Sequence, residues 1–180
     1  PDSEVFSIDN LQSYGYKNEY LDMYLKGRTI LDFKRKMKGT GRSPHGPAGQ
    51  VLLNSAVKEM EGFLAKVENY RKGSIPDKLN FTKSVEVNGS RLEISGRLDS
   101  VYPGGQFFFK PAKTFNSREK MKWWILHIIM NTLRIEKSTF LAGMESDIEI
   151  RTVKDPELLL SALAGIYLTG ISQPLPVTPY

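Results

Sequence analysis

Gly96-Arg97-Leu98-Asp99-Ser100-Val101-Tyr102-Pro103-Gly104-Gly105-Gln106-Phe107-Phe108-Phe109-Lys110 is the stretch on which the reading of this chain turns. Leu98 and Val101 belong to a strand, Pro103-Gly104-Gly105 supplies a turn, and residues 106–110 return as a second strand. Such a hairpin sets Asp99 beside the triplet Phe108-Phe109-Lys110. Two carboxylates held this way bind Mg²⁺, and a neighbouring lysine polarises the attacking water or the phosphate. Asp99 and Lys110 fit two of those parts. Phe108 stands where the second carboxylate belongs, and a phenyl ring cannot ligate a hard cation. The hairpin reads as one that has lost its metal site.

Upstream, Phe81, Val85 and Val87 form a strand that ends at Asn88-Gly89, a strong hairpin signal. Leu92, Ile94, Leu98 and Val101 continue on the next strand, with Gly96 as a bulge or bend. Downstream, Asn116 with Glu119 caps an apolar helix over residues 117–135. A strand at 139–144 and another at 148–153 follow. Asp155 then caps a last helix that Pro156 opens and residues 158–168 fill. Ahead of the strands, Asp9 with Gln12 has capping-box spacing before a helix carrying Leu11, Tyr14, Leu21, Tyr24 and Leu25. A short helix at 29–37, a Gly/Pro-rich loop at 38–49 and a long helix at 50–72 complete the order. Helix, three strands, helix, strand and helix, without internal repeats, predict an α+β fold.

At 180 residues the chain is long enough for one domain with a real core. It divides by composition into a linker at 1–8, a domain at 9–172 and a Pro-rich tail at 173–180 that cannot form helix. The start lacks an initiator Met and a signal pattern, and reads as a piece of something longer. Cysteine is absent, which excludes disulfides and thiolate metal sites and makes a reducing cytoplasm the natural compartment. No apolar run is long enough to span a membrane. The net charge of +5 is concentrated. Lys26, Arg28, Lys34, Arg35, Lys36, Lys38 and Arg42 stand against one local acid, Asp32, so the rest of the chain is near neutral. Within that cluster Lys34, Arg35, Lys36, Lys38 and Arg42 are the candidate DNA contacts. The plainer reading is a solvated helix face.

The glycines of 39–49 lack the Gly-Lys-Ser/Thr ending of a P-loop, and no strand leads into them. They suit a phosphate contact at a helix start rather than a nucleotide site. His45 in that loop and His127 on the apolar helix have no serine or cysteine partner pattern, so a hydrolytic triad is unsupported. Trp123 and Trp124 sit about 100° apart on one helix. One packs inward, while the other reaches the flank, where it can meet a partner or a base. Glu86 and Glu93 lie on strands of the same sheet and are the acids that a relocated metal site would draw on.

Several ordered segments carry a resemblance. Ser43-Pro44-His45-Gly46-Pro47-Ala48-Gly49-Gln50, Gly96-Arg97-Leu98-Asp99 and the run Gly105–Lys113 are three of them. Met121-Lys122-Trp123-Trp124-Ile125-Leu126-His127 and the closing run Gly170–Pro179 are the others. Together they resemble the C-terminal domain of the gamma subunit of exodeoxyribonuclease V, the RecC family, over residues 7–180. The resemblance implies a restriction-endonuclease-like core of the D…(D/E)xK type, with a central mixed sheet, flanking helices and a C-terminal helix. It implies a scaffold in a bacterial helicase–nuclease that processes double-strand breaks, not a catalyst. The expected partners are the alpha and beta subunits and DNA. ATP and Mg²⁺ belong to the parent complex, and the domain itself needs no cofactor. On this alignment Asp99, Phe108, Lys110 and Gln50 are vestigial positions. Gln50 replaces a histidine ligand of active relatives, and Lys120 or Lys122 replaces a glutamine that precedes an aromatic. Trp123 and Trp124 become candidate partner contacts. The alternatives are an active Mg²⁺-dependent nuclease with a relocated carboxylate, and a free-standing DNA-binding module.

Overall fold

A computed structural model describes residues 10–42 and 46–172. Asp9, His45 and the 173–180 tail therefore lie outside the described residues. Five helices and five strands form an α+β fold: α1 Asn10–Leu25, α2 Ile30–Gly39, α3 Gly46–Arg71, β1 Asp77–Val87, β2 Ser90–Tyr102, β3 Gly105–Phe109, α4 Ser117–Thr132, β4 Thr139–Ala142, β5 Asp147–Ile150 and α5 Pro156–Ser172. The strands make one sheet in the order β1-β2-β3-β4-β5. No helix among the described residues is long and apolar enough to cross a membrane.

The chain packs as two compact units. The first holds the described residues up to Lys72 with Phe109–Thr114 and Ala142–Ser146. Thr29 and Asp32 close a reciprocal capping box at the start of α2, which satisfies the Thr29 and Asp32 N–H donors at that end. Phe33 and Met37, four apart on α2, are fully buried, and the Phe33 ring stacks on Tyr20 of α1 with centroids 4.9 Å apart. α3 begins at Gly46 rather than at residue 50. Pro47 explains the earlier start, because its fixed φ and missing N–H suit the first turn.

The second unit holds the remainder, and with it the hairpins. Asn88 and Gly89 both take positive φ, 49° and 76°, as a two-residue turn between twisted strands requires. Gly96 is not a bulge: it pairs in regular register with Phe81, whose ring would meet a Cβ there at 3.1 Å. The irregularity lies one step on. Asp77 pairs Val101 and Leu79 pairs Leu98, so Asp99 and Ser100 together oppose Lys78. That is a bulge in β2. The next turn closes on Gly105 at φ 143°, where a Cβ would stand 2.6 Å from the Ser138 carbonyl oxygen; only glycine fits.

Beyond β3 the chain crosses through α4, capped by the expected Asn116–Glu119 box, and returns as β4. Gln106 N–H donates to Ser138 and Lys110 N–H to Ala142. Both partners advance by four residues, so β3 and β4 run parallel. The antiparallel β1–β2 and β2–β3 pairs make the sheet mixed. Val85, Val87, Leu98 and Val101 bury one face of it against Ile128, Ile129 and Met130 of α4 and Leu160 and Ala164 of α5.

Candidate functional site

Leu98 and Val101 both point into the α4 and α5 cluster, and the bulge between them sends Asp99 out on the side of Arg97. Its carboxylate is half exposed and held by the Arg97 guanidinium at 2.6 Å. Val101 pairs directly with Gln106 across the turn. Directly opposed residues share a face, as do residues two apart on a strand. Gln106 and Phe108 therefore face α4, and Phe108 stacks on Trp123 with centroids 4.6 Å apart and planes at 25°. Phe115 adds a tilted ring at 6.1 Å. Phe108 is thus a packing residue on the face opposite the one by which Asp99 leaves the sheet.

The other site positions scatter. Glu86 pairs with Arg91 and Glu93 with Ser84, so both share a face with Arg97. Glu93 is nonetheless six residues from Asp99 along β2, roughly 20 Å at strand rise. Carboxylates that share one Mg²⁺ must lie within a few ångströms. No group of three acids or histidines suited to a metal ion occurs among the described residues. Lys110 belongs to the first unit, with its ammonium 6.0 Å from the Tyr14 ring centroid. Gln50 is exposed on α3 of that unit.

The basic cluster, all in the first unit, is less bare than its sequence window implies. Lys36 and Arg42 both bind Glu19 of α1, at 2.6 and 2.5 Å. Lys26 pairs with Asp22. Arg35 lies 3.4 Å from Asp32, whose carboxyl is held below its usual range chiefly by hydrogen bonds from Thr29. Lys34 donates to the neutral Asn54 at 2.7 Å and keeps its net charge. The Lys38 ammonium enters no ion pair or side-chain hydrogen bond among the described residues. On α2, Lys34 and Lys38, with Arg35 beside them, are the charges open to a polyanion.

The two tryptophans divide as their spacing requires. Trp123 is 7% exposed inside the aromatic cluster. Trp124 lines an open groove of about 500 Å³ with Lys120 and Met121 of α4, Leu141 of β4, and Ile148 and Ile150 of β5. Sequence reading passed over this groove. Its signal was there in the Ile148-x-Ile150 alternation and in Met121 and Trp124 three apart on a helix.

His127 has a buried structural role. Nε2 lies 2.9 Å from the Arg151 carbonyl oxygen, and Nδ1 2.9 Å from the Thr139 hydroxyl. Thr139 in turn lies 3.0 Å from the Gln106 side-chain amide, whose nitrogen is otherwise without a partner. A carbonyl only accepts, so Nε2 carries a proton. If Thr139 also donated to Gln106, Nδ1 would need a second proton, making an uncompensated buried imidazolium. The neutral ring resolves this. Thr139 donates to Nδ1 and accepts from the Gln106 NH₂ group, since the two ends of an amide have the same shape. Burial lowers the His127 pKa below its usual value, against the smaller opposite pull of the Arg151 carbonyl.

A five-stranded mixed sheet with five helices, its β2–β3 hairpin packed against α4, is the class of domain this geometry defines. Over residues 1–180 the chain matches the family described as RecC C-terminal domain, and it belongs to that family. It is similar to the RecBCD enzyme subunit RecC of Buchnera aphidicola subsp. Schizaphis graminum (strain Sg), 30% identical over 71% of this chain and 11% of the relative. The RecBCD enzyme subunit RecC of Buchnera aphidicola subsp. Acyrthosiphon pisum (strain APS) is 24% identical over 98% of this chain and 16% of the relative. The chain thus spans less than a fifth of the length of these relatives. The crystal structure of SSO0001 superposes over 83% of this chain and 82% of that one, with a TM-score of 0.39 and 14% identity. At that score the likeness carries no argument.

Proposed function

We propose that this chain is a non-catalytic, restriction-endonuclease-like scaffold domain of the exodeoxyribonuclease V helicase–nuclease complex, acting in double-strand break repair and recombination. In this reading it binds a partner subunit and lies beside DNA in the cytoplasm, while ATP and Mg²⁺ serve other parts of the complex. Family membership supports the setting. One observation carries the loss of catalysis: Phe108 is stacked on Trp123, on the opposite face of the sheet from the Asp99 carboxylate. The relocated-carboxylate alternative is disfavoured by the spacing of Glu93 from Asp99 along β2. The test is incubation of the purified chain with linear duplex and single-stranded DNA in Mg²⁺ or Mn²⁺. No cleavage is expected, and Asp99→Ala should change nothing. Metal-dependent cleavage abolished by Asp99→Ala would end the scaffold reading.

The DNA contact is assigned to Lys34 and Lys38 of α2, with Arg35 beside them. Neutralising Lys34, Arg35 and Lys38 together is expected to weaken DNA binding and to flatten its dependence on salt by roughly 2–3 in log–log slope. Neutralising Lys36 and Arg42 should matter less, since both already serve Glu19. Glu19→Gln should tighten binding by releasing them. Equal losses from the two base sets, with no gain from Glu19→Gln, would remove the assignment.

A further inference from the structure

β5 is the last strand of the sheet, and no described strand lies on its outer side. Ile148 and Ile150 alternate toward the aromatic cluster of Phe115, Trp123 and Leu141, while Asp147 and Glu149 face away. Across the groove, Lys120, Met121 and Trp124 form one stripe of α4, spaced i, i+1 and i+4. Met121 is 54% exposed and presents an apolar side chain to the groove. A terminal strand and a helix stripe carrying Met121 and Trp124, with a cleft between them, make the arrangement by which sheets accept an added strand. The backbone of the guest bonds to the edge, and its alternate side chains fill the cleft.

Charge narrows the guest. Glu149 is engaged by Ser138 and Arg151 on the far face. On the α4 side of the groove, Lys120 is exposed and enters no ion pair among the described residues. The uncompensated charge at the mouth is positive, so a guest carboxylate is favoured there. β5 has four residues, roughly 13 Å of strand, and matches an extended segment of about that length.

We propose that the groove between α4 and β5 is a strand-addition site for a protein segment about four residues long, with apolar side chains at alternate positions and an adjacent Asp or Glu for Lys120. This deepens the partner-binding half of the scaffold reading and rests on it. Because the test uses a synthetic peptide, its failure leaves association with a helicase subunit to be measured separately.

The probe is the peptide acetyl-Asp-Val-Ser-Val-Ser-Phe-amide, followed by tryptophan emission in the 180-residue chain. Trp124, at the groove, supplies the signal, and Trp124→Phe should abolish it. Met121→Glu changes an exposed position without opening the core, and is expected to weaken binding at least about tenfold. Lys120→Glu should weaken it less, with partial recovery when the peptide Asp is changed to Lys. Two N-methylated peptides decide the mode, one methylated at the odd backbone nitrogens and one at the even. Strand addition uses donors of one parity only, so one peptide should bind like the parent and the other should fail. Equal binding by both, or no effect of Met121→Glu, would overturn the proposal. So would saturable quenching by oligothymidylate where the peptide gives none, which would make the groove a nucleic-acid platform.

Discussion

Phe108→Glu, the change that restores the carboxylate of a nuclease triplet, is expected to destabilise the chain by roughly 3 kcal/mol or more and to yield no metal-dependent cleavage. The stability loss has two sources. The Phe108 ring fills the space against Trp123 and Phe115, so truncating it leaves a void beside fully buried Leu141. A glutamate there would also take a charge into a cluster whose immediate neighbours are the Trp123 and Phe115 rings. The missing activity follows from the register. Val101 pairs with Gln106, which puts position 108 on the α4 face, whereas Asp99 exits from its bulge beside Arg97. The restored carboxylate would point away from the one it should meet. Urea unfolding and a Mg²⁺ nuclease assay on the same preparation check both parts, with Phe108→Leu expected to lose far less stability. A Phe108→Glu variant as stable as the parent and able to cleave DNA would show that a single side chain, and not the register, had silenced the site.

The contrast explains what the residue string could and could not disclose. Asn88-Gly89, Asn116-x-x-Glu119 and Asp155-Pro156 are local devices whose consequences extend over a few residues, and each sits where it was read. The side of the sheet on which Asp99 stands is not local. One extra residue in β2 reverses the alternation, and glycine at 96 drew the expected bulge to the wrong place. There the glycine instead makes room for the Phe81 ring. Charge behaved likewise. A window over residues 26–42 contains one acid, but the fold brings Glu19 and Asp22 of α1 to three of its bases. Trp123 and Trp124 were separable by angle alone, as one inside and one at the flank. Which of them packed on Phe108 was decided by α4's orientation over the sheet, which no spacing rule carries. The groove went unread for the same reason, since its two walls are about thirty residues apart in sequence and meet only through the β3–α4–β4 crossover.

Removing the imidazole of His127 is the second large effect expected. His127→Ala should cost roughly 3 kcal/mol or more, combining a cavity with the loss of partners for the Thr139 hydroxyl and the Arg151 carbonyl, each about 1–3 kcal/mol when left buried and unbonded. The ring links α4 to β4 and, through Thr139, to Gln106 of β3, so its loss loosens three elements at once. A pH dependence follows from the same burial. The folded ring has its pKa lowered from 6.5 by desolvation, so on acidification the unfolded chain takes up its proton first. Stability from this group is complete above 6.5 and is lost as pH falls through the depressed folded value. Asp32, Glu59 and Glu157 also have lowered values, but their reference values are 3.8, 4.5 and 4.5, so their contributions fade only at lower pH. Between pH 6.5 and 5 the slope of unfolding free energy therefore belongs mainly to His127. Urea unfolding across that window should show a clear loss in the parent and a flattened profile in His127→Leu, which keeps an apolar side chain but cannot titrate. The same measurement on His45→Ala separates the two histidines of the chain. An undiminished slope in His127→Leu would mean that the neutral, doubly bonded ring is not what acid disrupts.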